Sequence, residues 1–243
     1  MKVLGVIPAR FGSSRFPGKP LIDLKGKTMI QRVYEGAAKS TLIKELIVAT
    51  DDQRIYDEVI RFGGKAEMTS SHHPSGTDRC AEVFEKHPDF DVVINIQGDE
   101  PLVDFRQIDQ LLEAFKNENV KIATLATRSI SNEDLLNPNR IKVVVNHQNS
   151  ALYFSRSCIP NFQNASVEIA ATYPFLRHIG LYAFRGNVLK ELTALLPTEL
   201  EKTESLEQLR WLYYGYPISV IETTIETPNI DTTEDLEKVL SLL

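Results

Sequence analysis

Short β-rich runs alternate with stretches of helical spacing through the first 115 residues, and this rhythm admits few folds. Residues 2–8, 45–50, 66–68 and 92–96 read as strands. Between them, residues 28–39, 53–62 and 76–86 read as helices, with Met29, Val33 and Ala37 on one face of the first. Gly63-Gly64 closes the second, because glycine takes the left-handed conformation at little cost. After the fourth strand, Ile108, Leu111, Leu112 and Phe115 repeat at i, i+3, i+4 and i+7, the spacing of an amphipathic helix. Strands alternating with helices build βαβ units around a parallel sheet. Continuous apolar runs such as Val92-Val93-Ile94 fit strands covered on both faces. The expected fold is α/β, a doubly wound, mainly parallel, Rossmann-like sheet with right-handed crossovers. Ligands of such sheets bind at the carboxyl ends of the strands. That points to the residues after Pro8, Thr50, Met68 and Ile96.

The rhythm changes after about residue 122. Residues 141–146, 151–155 and 179–184 read as strands separated by loops, and 161–172 as a polar loop without period. Helical spacing returns at 188–196 and 205–214, followed by a strand near 218–221 and a final helix carrying Leu236, Val239, Leu240 and Leu243. No repeat or linker divides the chain. The expectation is one domain of 243 residues, with a nucleotide-binding part over about 1–120 and a smaller β-rich subregion over about 121–215. That subregion would cover a cleft or pair subunits, and the last strand and helix would return to the core.

Composition narrows the partners. Hydrophobic residues make up 42% and charged residues 25%, which excludes a disordered or collagen-like chain. No apolar run approaches the roughly 20 residues of a membrane span, so a membrane partner is not expected. Pro8 and Arg10 interrupt the first apolar run, which makes a poor signal peptide. Cys80 and Cys158 fit a reduced, cytoplasmic chain better than a disulfide framework. The formal net charge of −6 argues against nucleic acid. It still permits an anionic substrate, if the basic residues gather in one cleft.

Four segments carry chemistry. Residues 8–21, after the first strand, hold Arg10, Arg15 and Lys19 among small residues, which suits a triphosphate. The segment is not a P-loop, since Lys19 precedes Pro20 rather than Ser or Thr. Gln97-Gly98-Asp99-Glu100-Pro101 follows the fourth strand. Asp99 there reads equally as a Mg²⁺ ligand or as the cap of the next helix. Ser75-Gly76-Thr77-Asp78-Arg79 reads as a helix start with Ser75 as N-cap and Asp78 at N3, whose free N–H groups can also meet a ligand. Asp231 or Thr232 would cap the final helix.

Taken together and in order, these segments resemble the sugar-acid cytidylyltransferases. The matching motifs are Ile7-Pro8-Ala9-Arg10, Ser14-Arg15-Phe16-Pro17-Gly18-Lys19-Pro20-Leu21, Ala49-Thr50-Asp51-Asp52, residues 73–79 and residues 95–101. Further matches are Ala151-Leu152-Tyr153-Phe154-Ser155-Arg156, Arg177-His178-Ile179-Gly180-Leu181-Tyr182, Leu206-Glu207-Gln208-Leu209-Arg210 and residues 229–235. The set is most similar to the CMP-Kdo synthetase branch and spans residues 4 to about 238. The resemblance implies a nucleotidyltransferase fold and the reaction of CTP with 3-deoxy-manno-octulosonate (Kdo) to CMP-Kdo and pyrophosphate, for lipopolysaccharide assembly. It also implies Mg²⁺ and a homodimer paired through the β-rich subregion.

The resemblance also implies roles. Arg10, Lys19 and Asp99 would be catalytic. Arg10, Arg15 and Lys19 would hold the triphosphate beside Pro8 and Gly98, and Ala9, Ser75, Gly76 and Arg79 would surround cytosine. Asp99 and Asp231 would be the Mg²⁺ ligands. Arg156 would take the sugar carboxylate, since a planar cation suits it, with Gln97, His178, Tyr182, Glu207 and Gln208 around the sugar. His178 and Tyr182 read equally as core residues, and Arg210 as the helix partner of Glu207. Two alternatives remain at this level: a cytidylyltransferase for 8-amino-Kdo or a sialic-type acid, and a non-catalytic nucleotide-binding module.

Overall fold

The computed structural model describes residues 1–12, 17–128, 130–164, 172–228, 230 and 233–243. Its strands are β1 (Val3–Ala9), β2 (Ile43–Thr50), β3 (Ala66–Met68), β4 (Val92–Asn95), β5 (Ile122–Thr127), β6 (Lys142–Val145), β7 (Ala151–Ser155), β8 (Leu176–Arg185) and β9 (Ile218–Glu222). The helices are α1 (Met29–Ala37), α2 (Gln53–Arg61), α3 (Gly76–Lys86), α4 (Phe105–Glu113), α5 (Asn132–Leu136), α6 (Gly186–Thr193), α7 (Glu199–Glu204), α8 (Gln208–Tyr213) and α9 (Thr233–Leu242).

The sheet runs β3-β2-β1-β4-β8-β5-β9. β1 pairs in parallel with β2 and β4, β2 with β3, and β5 with β9. Along β1, Val3 and Ile7 enter one apolar cluster, while Leu4 and Val6 enter the other. Helices therefore cover both faces, as a parallel sheet requires. The mainly parallel, doubly wound α/β expectation holds.

The departure lies in β8. It is inserted antiparallel between β4 and β5. No local pattern announces this, because pairing across the sheet is a nonlocal choice. In the β8–β5 register Thr124 faces Tyr182 but Leu125 faces Ile179, so Gly180 and Leu181 stand outside the ladder. The Thr124 hydroxyl lies 2.9 Å from the Leu181 carbonyl and 3.2 Å from that of Ile179. Bulges of this kind re-aim side chains beside functional sites. β5, α5 and α7 were not expected from the sequence. The helix expected from 205 starts at Gln208, because Ser205 takes a left-handed φ of 52° after α7.

Lys142 holds the β6–β7 subregion to its loop. It is fully buried, and its Nζ donates to the carbonyls of Asn137, Arg140 and Arg156 at 3.0, 2.7 and 2.6 Å. Burial pulls its ammonium below the ordinary lysine value. Lys142→Met leaves three carbonyls without their donor, and each unmade bond costs about 1–3 kcal/mol. Urea unfolding of this variant should show a loss of about 2–4 kcal/mol. A loss no larger than that of an exposed lysine variant would mean that water replaces the ammonium.

Candidate active site

The carboxyl ends of β1 and β4 meet at one point. A Cβ built on Gly98 would lie 2.9 Å from the Pro8 carbonyl oxygen, so only glycine lets the two segments approach this closely. Gly18 takes a left-handed φ of 74°, and its N–H closes a loop onto the Phe11 carbonyl at 3.0 Å. The short 3₁₀ turn at Lys19–Leu21 then carries the Lys19 ammonium to 2.8 Å from Asp99 Oδ2. Lys19 is largely buried, and Asp99 is 38% exposed. The cap of α4 is Asp104, not Asp99, so the capping alternative for Asp99 falls. The backbone N–H of Ile230 reaches the Asp99 carbonyl at 3.2 Å, which brings the chain just before Asp231 to this point. Arg10 is exposed directly after β1. Arg15 and Asp231 lie outside the described residues.

The start of α3 forms the next wall. Ser75 caps it, accepting the Asp78 N–H at 3.2 Å, as the sequence predicted. A Cβ on Gly76 would sit 3.2 Å from the Pro8 ring, so α3 begins against the end of β1 beside the buried Ala9. The Arg79 guanidinium is turned away into the protein. It pairs with Asp51 at 3.3 Å and donates to the Thr69 hydroxyl, tying the ends of β2 and β3 together.

A cavity of about 400 Å³ opens beyond these residues. Gly76, Gln97, Asp99, His178, Tyr182, Glu207 and Gln208 all line it, so the structure brings most of the sugar-site candidates together. Gln97 Nε2 donates to the Gly180 carbonyl at 3.1 Å. Both carboxylate oxygens of Glu207 are held on the α3 start, Oε1 at 3.0 Å from Ser75 Oγ and Oε2 accepting from Thr77 Oγ1 at 2.8 Å. Burial nevertheless raises the Glu207 carboxyl above the ordinary value. Arg210 is not its helix partner. It grips Glu201 through Nε at 2.7 Å and Nη2 at 2.5 Å.

His178 packs edge-on against Phe154, with ring centroids 5.1 Å apart, and its Nε2 lies 3.0 Å from Thr124 Oγ1. Burial pushes its pKa down to about 3, so at neutral pH it offers the cavity an uncharged imidazole. Tyr182 is buried against the Trp211 ring at 5.2 Å.

Arg156 is not brought into this group. Its Nε donates to the Glu204 carbonyl at 2.7 Å, Nη1 to Pro138 at 3.1 Å and Nη2 to Ser205 at 3.2 Å. Its guanidinium staples β7 to the end of α7 rather than lining the cavity. The cations that do line it are Arg140 and Arg177. Asn95, Glu100 and Trp211 also line it without having been singled out from the sequence. Asn95 left a signal, as the polar end of the run Val92-Val93-Ile94. Trp211 left none beyond being the single tryptophan.

A family model described as Cytidylyltransferase matches residues 4–225. The chain belongs to the cytidylyltransferase family. This cytidylyltransferase is 51% identical to a 3-deoxy-manno-octulosonate cytidylyltransferase of Parabacteroides distasonis, over 100% of this chain and 98% of the relative. It is 49% identical to the protein of that name from Fusobacterium nucleatum, over 100% of this chain and 97% of the relative. A solved CMP:2-keto-3-deoxy-manno-octonic acid synthetase complexed with CTP superposes with a TM-score of 0.93 at 45% identity, covering 100% of this chain and 98% of that one. A cytidylyltransferase of Leptospira borgpetersenii shares the fold at a TM-score of 0.64 and 17% identity, over 99% of this chain and 86% of that one.

The desolvated, half-buried His178 imidazole gives this cytidylyltransferase a pH signature. A group whose folded pKa is depressed below its unfolded value stabilises the fold above the unfolded pKa, and that contribution is lost as pH falls. For His178 the window opens near pH 6.5 and extends toward about 3. Unfolding free energies from urea titration should fall between pH 6.5 and 5 by about 2 kcal/mol more in the wild type than in His178→Gln. Parallel curves for the two proteins would show that the imidazole is solvated.

Proposed function

We infer that the chain transfers the cytidylyl group of CTP to Kdo, releasing pyrophosphate and forming CMP-Kdo. One observation carries this reading: a polar cavity of about 400 Å³ opens from the point where the Lys19–Asp99 pair joins the carboxyl ends of β1 and β4. A relative with the same fold at 45% identity was solved with CTP, and relatives near 50% identity are named for Kdo.

The anomeric hydroxyl of the sugar acid attacks the α-phosphorus. The bond to the β-phosphate breaks, and the hydroxyl proton passes to water. Charge spreads over the phosphate oxygens, so catalysis is mostly positioning and electrostatics. Lys19 and Arg10 meet the triphosphate, with Arg15 expected beside them. Pro8, Ala9, Ser75 and Gly76 face the base, while Arg79 holds that wall in shape. Glu207 fixes the start of α3 against the cavity, and Gln97, Gln208 and His178 meet the sugar.

Asp99 suits Mg²⁺, because its carboxylate is a partly exposed hard oxygen donor at a strand end. Asp231 is the second expected ligand. When bound there, the metal neutralises phosphate charge and lowers the pKa of the attacking hydroxyl. A metal there would compete with the Lys19 ammonium for the Asp99 carboxylate.

A homodimer is supported by β7. Among the described residues this strand pairs only with β6. Its Leu152 is 60% exposed, and Tyr213, on the helix α8 that packs on β7, is 66% exposed. No helix among the described residues is long and apolar enough to cross a membrane. The chemistry of CTP and the two free cysteines support a cytoplasmic site of action.

Pyrophosphate release with CTP, Mg²⁺ and Kdo tests the reading, run beside 8-amino-Kdo and sialic acid. Release with Kdo that stops when the metal is chelated is the expected result. Turnover of another acid but not Kdo would move the error to the sugar cavity. Lys19→Ala should lower kcat/KM by at least 100-fold, about 3 kcal/mol of transition-state stabilisation. Turnover within threefold of the wild type would remove Lys19 from the triphosphate.

A further inference from the structure

The crossover from β3 to α3 is an irregular segment, residues 69–75, that delivers Ser75 and Gly76 to the end of β1. Most of its anchors lie on α3 itself. At its start the buried Thr69 donates its N–H to the Thr50 carbonyl at 2.8 Å, and its hydroxyl accepts from the Arg79 guanidinium. Beyond Thr69 one carboxylate holds the chain. Glu82 Oε2 accepts the Ser70 N–H at 2.8 Å and lies 2.5 Å from His73 Nε2, while Oε1 accepts from Lys86 Nζ at 2.9 Å. The His73 and Glu82 side chains are only 20% and 24% exposed, so this is no loose surface pair. Burial by itself would raise the Glu82 carboxyl, but the Ser70 N–H, the His73 ring and the Lys86 ammonium together hold it down at about 2. It is therefore an anion at neutral pH and can only accept, so His73 Nε2 carries the proton that points at it.

The chain between His73 and the active site is short and stiff. The Pro74 ring fixes its own φ and keeps the residue before it out of helical backbone. Ser75 follows in extended conformation, with φ −137° and ψ 167°, and its side chain caps α3. Little rotational freedom remains between the His73 ring and Gly76, whose added Cβ would already stand 3.2 Å from the Pro8 ring. A displacement of His73 is thus passed to Gly76 rather than absorbed. A second pair of the same chemistry, His87 on Glu67, joins the C-cap of α3 to β3. It lies at the far end of the helix, about 15 Å from Gly76 along the axis.

We propose that Glu82, acting through His73, is a positioning residue for the nucleotide: it sets how the chain enters α3, and so the spacing of Gly76 from Pro8 where the base is read. This rests on the reading of the α3 start as the wall that faces cytosine. Neither His73 nor Glu82 lines the cavity, so both act through the backbone that joins them to Ser75 and Gly76. Such a role differs from a purely structural one in what it changes. General loosening of the fold lowers the amount of active enzyme for every substrate alike. A wall set at the wrong distance alters the grip on CTP and the choice between CTP and UTP.

The test measures the KM for CTP, the KM for Kdo and the ratio of kcat/KM for CTP over UTP, none of which depends on the fraction of enzyme folded. Glu82→Ala should raise the KM for CTP about tenfold, lower the CTP-over-UTP ratio about fivefold and leave the KM for Kdo within about twofold. Glu82→Gln keeps an acceptor of the same shape and should recover part of both losses. His73→Ala should match Glu82→Ala, and the double variant should be no worse than either, because the two side chains act as one unit. His87→Ala breaks the pair at the far end of α3. It should lower the melting temperature while both CTP readouts stay within about twofold of the wild type. A Glu82→Ala enzyme that loses stability but keeps its KM for CTP and its base preference would overturn the proposal, as would an equal rise in the KM for Kdo. Gly76→Ala puts a methyl group on the wall itself and separates this proposal from the reading beneath it. If Gly76→Ala raises the KM for CTP and Glu82→Ala does not, the positioning role alone falls. If neither does, the nucleotide wall falls and takes the positioning role with it.

Discussion

The approach of Gly98 to the Pro8 carbonyl is the constraint on which the rest of the site depends. β1 and β4 are parallel neighbours, so their carboxyl ends leave the sheet side by side. A side chain at position 98 would force them apart. Without one, the turn after β4 folds over the end of β1, and Asp99 arrives where Lys19 can reach it across 80 residues of sequence. The start of α3 at Gly76 is set against the same Pro8 ring. One close backbone contact thus places the Lys19 ammonium, the Asp99 carboxylate and the start of α3 relative to one another.

The charge arrangement resolves an apparent conflict in composition. A chain with a formal net charge of −6 is to bind a triphosphate and a sugar acid. Cations are not spread over the surface for this purpose. Lys19 is held beside one strand end, and Arg140 and Arg177 line the cavity beyond it. Asp99 partly neutralises Lys19 before any ligand arrives, which lowers the cost of holding an ammonium largely out of water. His178 is kept neutral by burial, so it adds no charge to the cavity at neutral pH.

What could be read from the sequence follows from how local each cause is. The β1–α3 half was legible because strand runs, helix spacing and the Ser75 cap are written in neighbouring residues. The cap appears with the partner the sequence predicted, the Asp78 N–H. Lys19, Gly98 and Asp99 were legible through their position after strand ends. The insertion of β8 between β4 and β5 was not, since strand order is decided by packing across the sheet. That insertion brings His178, Gly180 and Tyr182 to the end of β4, so the geometry of the sugar side was hidden with it. Arg156 shows the same limit from the other direction. Its partners are backbone carbonyls, which no residue pattern reveals, so a structural staple reads in sequence like a free cation. Arg177 stood beside His178 in a matching motif, yet only its enclosed, unpartnered Nε distinguishes it from a surface arginine.

We propose that Lys19 and Asp99 exchange partners when the nucleotide binds, Lys19 turning to phosphate and Asp99 to Mg²⁺. Calorimetric titration of CTP into the wild type and Asp99→Asn, with and without Mg²⁺, tests it most directly. Without the metal, Asp99→Asn removes a negative charge beside the phosphates, so it should bind CTP as tightly as the wild type or more tightly. With the metal, it lacks a ligand and should bind more weakly. An equal effect of the substitution in both buffers would contradict the exchange and leave Asp99 as a structural partner of Lys19.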